Sequence, residues 1–563
     1  MFRRHSKGDK MKLSIRRLSV VRRRTSFNRA ASRPLCEALE RRQLLAAVFD
    51  SAFGFGATFD DVGTGSAMDS AGNSYLTGYF SGTIDIDPGP GTFNVSTDSD
   101  PTRNARPYGS FVAKYDSSGN LVWGTQLLPK TDSVFSWDVA ITPSGDVFVG
   151  GKIEAEPSRA ESIFISKLDK SGNLLWTLNS RQSGGGIINS IAADPSGNVY
   201  ATGSFGGTLD VDNDGTPELT GGSHDLFVLK VDGSGHVQWA KGLSADGDAT
   251  AIAVDAKGDA YTTGFFANTA DFDPGPGVFN MTAANGGAFI QKLDKEGNFV
   301  WARSFNGAPG FTVQGMDVDV DAAGNVLSTG QFGGTVDFDP GAGTYNISAG
   351  GPANMPTSNV YISKLNSAGN FVWAARAAES ADIQSSQAKI ALDGRGNVYV
   401  GATFSGRADF DQRPGGCSDI LIGTDDMFLL KLNSAGQFVW VEQITSDQRV
   451  TPRDIAVNAA GRIAITGDFE GTTDFDPGPD THNVSSVSSV DGFLLRLGDQ
   501  VAAPASSVRV RKAAHHKSAA QMRKSQKAAV KRLKAQIKAA RADGQDVSEL
   551  RAKLREARAA LKE

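Results

Sequence analysis

The chain has 563 residues, 65 of them glycine and only two cysteine, Cys36 and Cys417. That length suits several ordinary domains or one large repeat architecture. Two distant cysteines exclude a disulfide framework or a zinc site, and no run of about 18 apolar residues marks a membrane-spanning helix. The net charge of −5 hides a body over 47–500 with 26 Lys/Arg against 54 Asp/Glu, set between basic ends; such acidity repels nucleic acid and anionic lipid and attracts cations.

Residues 1–46 carry 14 Lys/Arg against 3 Asp/Glu. They include Arg16-Arg17, but the longest apolar stretch is too short for a signal-peptide core. Cys36 likewise lacks the apolar segment of a lipoprotein signal. The run Leu39-Glu-Arg41-Arg-Gln-Leu44-Leu45-Ala46 resembles the Leu-Glu-Pro-Arg-x-x-Leu-Leu leader of exported planctomycete proteins, with Arg41 where that leader has Pro. The resemblance implies an extracytoplasmic destination, secreted or in the cell envelope.

From residue 47 the sequence repeats. Asp69-Ser-Ala-Gly72-Asn73-Ser-Tyr75-Leu-Thr-Gly78 recurs as Asp194-Pro-Ser-Gly197-Asn198-Val-Tyr200-Ala-Thr-Gly203 and at five further places, with key glycines at 72, 145, 197, 258, 324, 396 and 461. The period is about 65 residues, and repetition on that scale points to a solenoid or a propeller. A second element, Phe111-Val-Ala-Lys114-Tyr-Asp116-Ser-Ser-Gly119-Asn120-Leu-Val-Trp123, alternates with the first and reappears ending at Trp176, Trp239, Trp301, Trp373 and Trp440. Each element joins two alternating apolar runs through Asp/Asn-x-x-Gly. The acid bonds the following amides and glycine supplies the positive φ of a tight hairpin. Two hairpins make four strands, the content of one propeller blade.

The seventh repeat ends at Phe493-Leu-Leu-Arg-Leu497 without a tryptophan strand, whereas Ala47-Val-Phe-Asp-Ser-Ala-Phe53 precedes the first repeat without a partner. Together they predict a ring closed by both ends, which leaves no long exposed edge. The Asp-x-x-Gly-Asn-x-Tyr-x-x-Gly core followed by Asp-Phe-Asp resembles the bacterial β-propeller repeat family labelled SBBP, over roughly 47–498. That resemblance implies the fold and placement outside the cytoplasm, and no particular ligand.

An acidic loop follows the first hairpin: Asp85-Ile-Asp87, Asp271-Phe-Asp273, Asp337-Phe-Asp339 and Asp474-Phe-Asp476 before Pro-Gly, a worn Asp409-Phe-Asp411, and Asp210-Val-Asp212-Asn-Asp214-Gly215 in the third repeat. Only the second repeat lacks it. Two readings stand. Alternating carboxylates are candidate calcium ligands, and Asp210, Asp212 and Asp214 match the start of a calcium loop, although Gly221 stands where its closing Glu belongs. Alternatively the central Phe272, Phe338 or Phe475 anchors in the core while the acids face water or form turns.

The six repeated tryptophans fit a wedge between blades, each indole N–H finding a local acceptor, better than an aromatic ligand ring. Asn94, Asn280, Asn346 and Asn483 begin Asn-x-Ser/Thr triplets and read as strand residues. His224, His236 and His482 are widely spaced, and no GxSxG turn, HExxH motif or phosphate loop is present. After Pro504 the chain becomes a basic tail, with 17 Lys/Arg against 5 Asp/Glu over 501–563. It predicts one helix over about 517–541 and a second opened by Asp546 with Glu549 as a capping box.

The expectation is therefore an all-β, seven-bladed propeller of four-stranded blades over 47–500, closed by an N-terminal strand and followed by a basic helical tail. Its expected role is an exported or cell-surface binding scaffold with calcium as cofactor. Its partner is an unidentified protein or a surface polysaccharide, and the tail contacts an anionic polymer, a partner helix or the acidic propeller. The alternative is an exported propeller enzyme, a polysaccharide hydrolase or lyase. An asymmetric polar set on the axis would mark the enzyme; a repeat-symmetric lining would mark binding or pure structure.

Overall fold

Each hairpin closes by the chemistry its sequence carries. Asp69 Oδ1 accepts the amides of Ala71 at 3.0 Å and Asn73 at 2.9 Å, while Gly72 turns the chain at φ +85°. The same pair of bonds recurs at Asp116, Asp194, Asp255, Asp321 and Asp393. In the worn repeats Asn458 accepts the same two amides through its side-chain oxygen, and the Thr142 hydroxyl accepts only the second, that of Asp146.

The computed structural model describes residues 46–499 apart from 58, 98–106, 129–131, 156–159, 308, 351–357, 379–386 and 412–419. In the tail it describes 530, 531, 534, 537, 551, 554 and 555, all helical. The leader, both cysteines and most of the two expected tail helices lie outside the described residues.

The hairpins assemble into seven antiparallel four-stranded sheets. The first blade runs Val62–Met68, Ser74–Phe80, Gly109–Tyr115, Leu121–Leu127 from axis to rim. Five blades repeat that order, beginning with strands Ser133–Ile141, Gly186–Ala193, Asp246–Val254, Val313–Val320 and Lys389–Leu392. The seventh takes Arg449–Val457, Arg462–Glu470 and Asp491–Asp499 from the C-terminal end and its outer strand, Ala47–Phe55, from the N-terminal end. Ala47 pairs with Asp499 and Phe55 with Gly492, the closure that the unmatched apolar segment predicted. The innermost strand of each blade packs beside that of the next, and the seventh beside the first.

Blades are joined by the residues that recur. Trp123 donates its indole N–H to Lys170 O of the second blade at 3.1 Å, Trp239 to Lys295 O at 3.1 Å and Trp301 to Ser367 O at 3.1 Å. Trp440 breaks the series, with its buried Nε1 unpartnered among the described residues. The reason is topological. Its acceptor belongs to the hairpin between third and fourth strands, and in the seventh blade those strands come from opposite ends of the chain. The acidic loops are clamps of the same kind. Phe338 is buried against Phe305 of the preceding blade, with ring centroids 5.1 Å apart. Asp474 pairs with Thr445 of the sixth blade, and Asp210 with Arg181 of the second. A buried phenylalanine contributes roughly 1.5–3 kcal/mol relative to an exposed one.

Candidate functional site

The loop acids are engaged first with their own backbone. Asp271 Oδ1 accepts the amides of Asp273 at 3.0 Å and Phe279 at 2.7 Å, and Asp273 Oδ1 that of Gly275 at 2.8 Å. Asp85 with Asp87, Asp337 with Asp339 and Asp474 with Asp476 repeat the arrangement around buried Ile86, Phe338 and Phe475. In the third blade, ligand atoms of Asp210, Asp212 and Glu218 lie within 4.8 Å of one another, the one such trio among the described residues. Asp214 is not a member; its carboxylate accepts the Thr216 amide at 2.7 Å. Glu218 escaped the sequence pattern because it sits before the position where a calcium loop closes. Burial, helped by Asp212 and Asp210, raises its pKa. The trio holds three carboxylates around one point, which suits a hard cation.

A second site emerges where the repeats cease to agree. Pairing register aligns Gly65, Asp138, Ser190, Ala251, Asp317, Lys389 and Asp454, each opposite the Thr or Gly that precedes a Gly or Ala in the second strand. These seven positions ring the axis, and no repeat symmetry survives among them. One step into the blade the picture reverses in six of the seven blades, with Val139, Ile191, Ile252, Val318, Ile390 and Ile455 all buried and Ser66 in the first. The second strands show the same split. Phe80, Phe205, Phe266, Phe332, Phe404 and Phe469 are buried, while the residue before each is Tyr79, Ser204, Phe265, Gln331, Thr403 or Asp468. The fold requires the constant positions; the varied ones line one mouth of the axis.

The axial carboxylates tie blade to blade. Asp138 Oδ2 accepts the amide of Ile191 at 2.9 Å, Asp317 Oδ2 that of Ile390 at 2.9 Å and Asp319 Oδ2 that of Leu392 at 2.9 Å. Burial pushes the pKa of Asp138 up to about 7, with Asp454 adding to the rise, and that of Asp317 to about 6 against the pull of Lys389. Asp319 rises to about 7 and Asp454 also rises, burial again being the main cause. Burial works against the Lys389 ammonium, but Asp317, Asp454 and Asp138 outweigh it and raise its pKa.

Beside this ring stands an aromatic wall built by the first two blades. The rings of Phe135 and Trp137 are near-parallel at 15° with centroids 6.3 Å apart. Tyr79 meets them edge-on at 5.3 and 5.9 Å, and Tyr108 lies 5.1 Å from Phe135. All four are half-buried. Around them Arg449 pairs with Asp468 and Glu470, Arg453 with Asp468, and Lys152 with Glu154 and Glu161. Burial lifts the Tyr79 hydroxyl to about 12. The sequence did offer a signal for this wall: Trp137 is the one tryptophan of seven outside the repeated outer-strand position.

No family model matches the chain. An uncharacterized WD repeat-containing protein, L264 of Acanthamoeba polyphaga mimivirus, is 23% identical over 472 residues, covering 69% of this chain. The chain spans about a third of that relative's length, 34%. Similar solved structures include the β-propeller domain of the Trilobed protease from Pyrococcus furiosus, with TM-score 0.37, 8% identity, and coverage of 78% of this chain and 94% of that one. Sqt1 from Chaetomium thermophilum gives TM-score 0.37 and 12% identity, covering 81% of this chain and 100% of that one. The repeat β-propeller itself is shown by the chain's own blades.

Proposed function

We propose that the chain is an extracytoplasmic binding propeller that holds its ligand at the axial mouth bounded by Tyr79, Trp137, Lys389 and Arg453. The observation that carries this reading is the concentration of repeat-breaking residues there, since positions that only serve the fold keep one residue type in blade after blade. Placement outside the cytoplasm rests on the leader resemblance at 39–46 and the SBBP-like repeat. Calcium belongs to the same proposal as a stiffener of the third-blade loop through Asp210, Asp212 and Glu218.

Purified wild type should bind isolated envelopes of its host. A Tyr79→Ala, Trp137→Ala, Arg453→Ala triple variant should lose that binding. A control at the opposite face, Ser196→Glu with Lys257→Glu, should keep it. Equal binding by both variants sinks the reading and turns attention to the basic tail.

The asymmetric axial ring favours a second reading. Carboxyl groups with pKa near 6 to 7 beside an ammonium are placed for proton transfer at neutral pH, as a polysaccharide hydrolase or lyase requires. Against it, Asp138, Asp317 and Asp454 already accept backbone amides. Release of reducing ends from a polysaccharide, abolished by Asp138→Asn, would establish the enzyme.

A further inference from the structure

We propose that Asn94, Asn280, Asn346 and Asn483 are glycan acceptors, each carrying an N-linked oligosaccharide at the edge of an acidic loop. The inference rests on the extracytoplasmic placement proposed above, since Asn-x-Ser/Thr acceptance belongs to exported chains.

Three observations carry it. The first is position. The asparagines open strands Asn94–Ser96, Asn280–Leu293, Asn346–Ser348 and Asn483–Ser485, and pair with Asp85, Asp271, Asp337 and Asp474. Every loop that keeps Asp-x-Asp-Pro-Gly has one. The worn loop of the sixth blade sets Ile420 opposite Asp409 instead. Asparagine is disfavoured in strands, so its return in four blades needs a cause.

The second is the lack of any hydrogen-bonding role in the fold. Turn asparagines bond their own acid through Nδ2: Asn73 to Asp69 at 2.7 Å, Asn198 to Asp194 at 2.6 Å and Asn397 to Asp393 at 2.7 Å. The four loop asparagines are exposed, and their side-chain amides make no hydrogen bond among the described residues. The acid opposite is turned to its own loop, Asp85 Oδ1 accepting the amides of Asp87 at 3.0 Å and Phe93 at 2.8 Å. Glu218, at the matching place in the third blade, instead turns inward to accept the Val211 amide at 2.6 Å.

The third is the orientation of the triplet. Alternate residues of a strand point to one face. Val95 and Met281 are buried, and Ile347 and Val484 pack against the core, so each asparagine shares the outer face with the hydroxyl two residues on. That hydroxyl has a cross-strand partner in three loops, Thr282 with Thr269, Ser348 with Thr335 and Ser485 with Thr472. Pairing accounts for the hydroxyl and leaves the asparagine unexplained. In three loops the preceding residue is an exposed aromatic, Phe93, Phe279 or Tyr345, an apolar edge that a bulky, solubilising glycan covers.

In the transfer, Nδ2 attacks the anomeric carbon of a lipid-linked oligosaccharide diphosphate. A C–N bond forms, the C–O bond to the diphosphate breaks, and the Nδ2 proton passes to a base of the transferring enzyme. The lipid diphosphate leaves, and nothing is oxidised or reduced.

The test takes the full-length protein from fractionated cultures of its own host and maps its peptides by mass spectrometry. Peptides holding the four asparagines are expected to carry glycan mass on Asn. Ser348→Ala should remove the glycan at Asn346 and leave the others, while Ser348→Thr keeps them all; a purely structural hydroxyl leaves every mass unchanged. Bare asparagines in protein recovered outside the cytoplasm overturn the proposal and leave the placement standing. Bare protein confined to the cytoplasm overturns both. Glycan on Ser or Thr alone, or kept at Asn346 in Ser348→Ala, also overturns it.

Discussion

Asp454 Oδ2 accepts the amide of Ser66 at 2.6 Å, joining the last blade to the first across 388 residues of sequence. The bond is one of a set in which an axial oxygen grips the next blade: Asp138 to Ile191, Ser190 Oγ to Ile252 and Asp317 to Ile390. The residues that break the repeat on the axis therefore help to close the ring as well as line its mouth.

That double role makes stability depend on pH. Asp138 and Asp319 have folded pKa values near 7 and Asp317 near 6, against an ordinary 3.8. Between those limits the folded chain binds more protons than the unfolded one, so stability falls as pH rises. Carboxylates whose pKa is lowered, such as Asp116 and Asp169, act below this window. The melting midpoint should be higher at pH 5 than at pH 8, and Asp138→Asn should flatten the difference. A midpoint that rises across this interval contradicts the assignment.

The tryptophan series offers a matched pair. Trp301 donates to Ser367 O, and Trp440 has no acceptor among the described residues, although both are buried beside a tyrosine. Replacing either by Phe removes similar area, so the difference isolates the indole N–H. Trp301→Phe should cost about 1 kcal/mol more than Trp440→Phe in urea denaturation. Equal losses would mean that the inter-blade hydrogen bond contributes nothing net.

Metal dependence separates the two readings of the acidic loops. Calcium should raise the melting midpoint over that in chelator by several degrees, and Glu218→Gln should remove the gain. Asp85→Asn should leave the gain intact, since Asp85 belongs to no trio of ligating side chains among the described residues. An unchanged midpoint in wild type leaves all the loop acids as turn and clamp residues.

The seven-bladed ring was readable because its signals are local and multiplied. Asp69-x-x-Gly72 closes its own hairpin through bonds to Ala71 and Asn73, so the sequence alone determines the turn, and repetition turns one hairpin into a count of strands. The unmatched Ala47–Phe53 segment and the seventh repeat's missing outer strand likewise implied each other. Gly203 was visible as a repeated glycine, but only the pairing shows its need: a Cβ there would collide with the Ile187 carbonyl oxygen.

The axial ring and the aromatic wall were not readable in this way. Asp138, Asp317, Lys389 and Asp454 lie on four blades, and Tyr79 and Trp137 on two, so each looks like ordinary drift within its own repeat. Even the role of Phe338 as a clamp depended on Phe305 of the neighbouring blade. Hairpin chemistry acts between residues two to four apart and is written in the sequence. Ring closure brings equivalent positions from every repeat to one axis, and only there do the residues that differ become a single surface with its own charge, pKa values and shape.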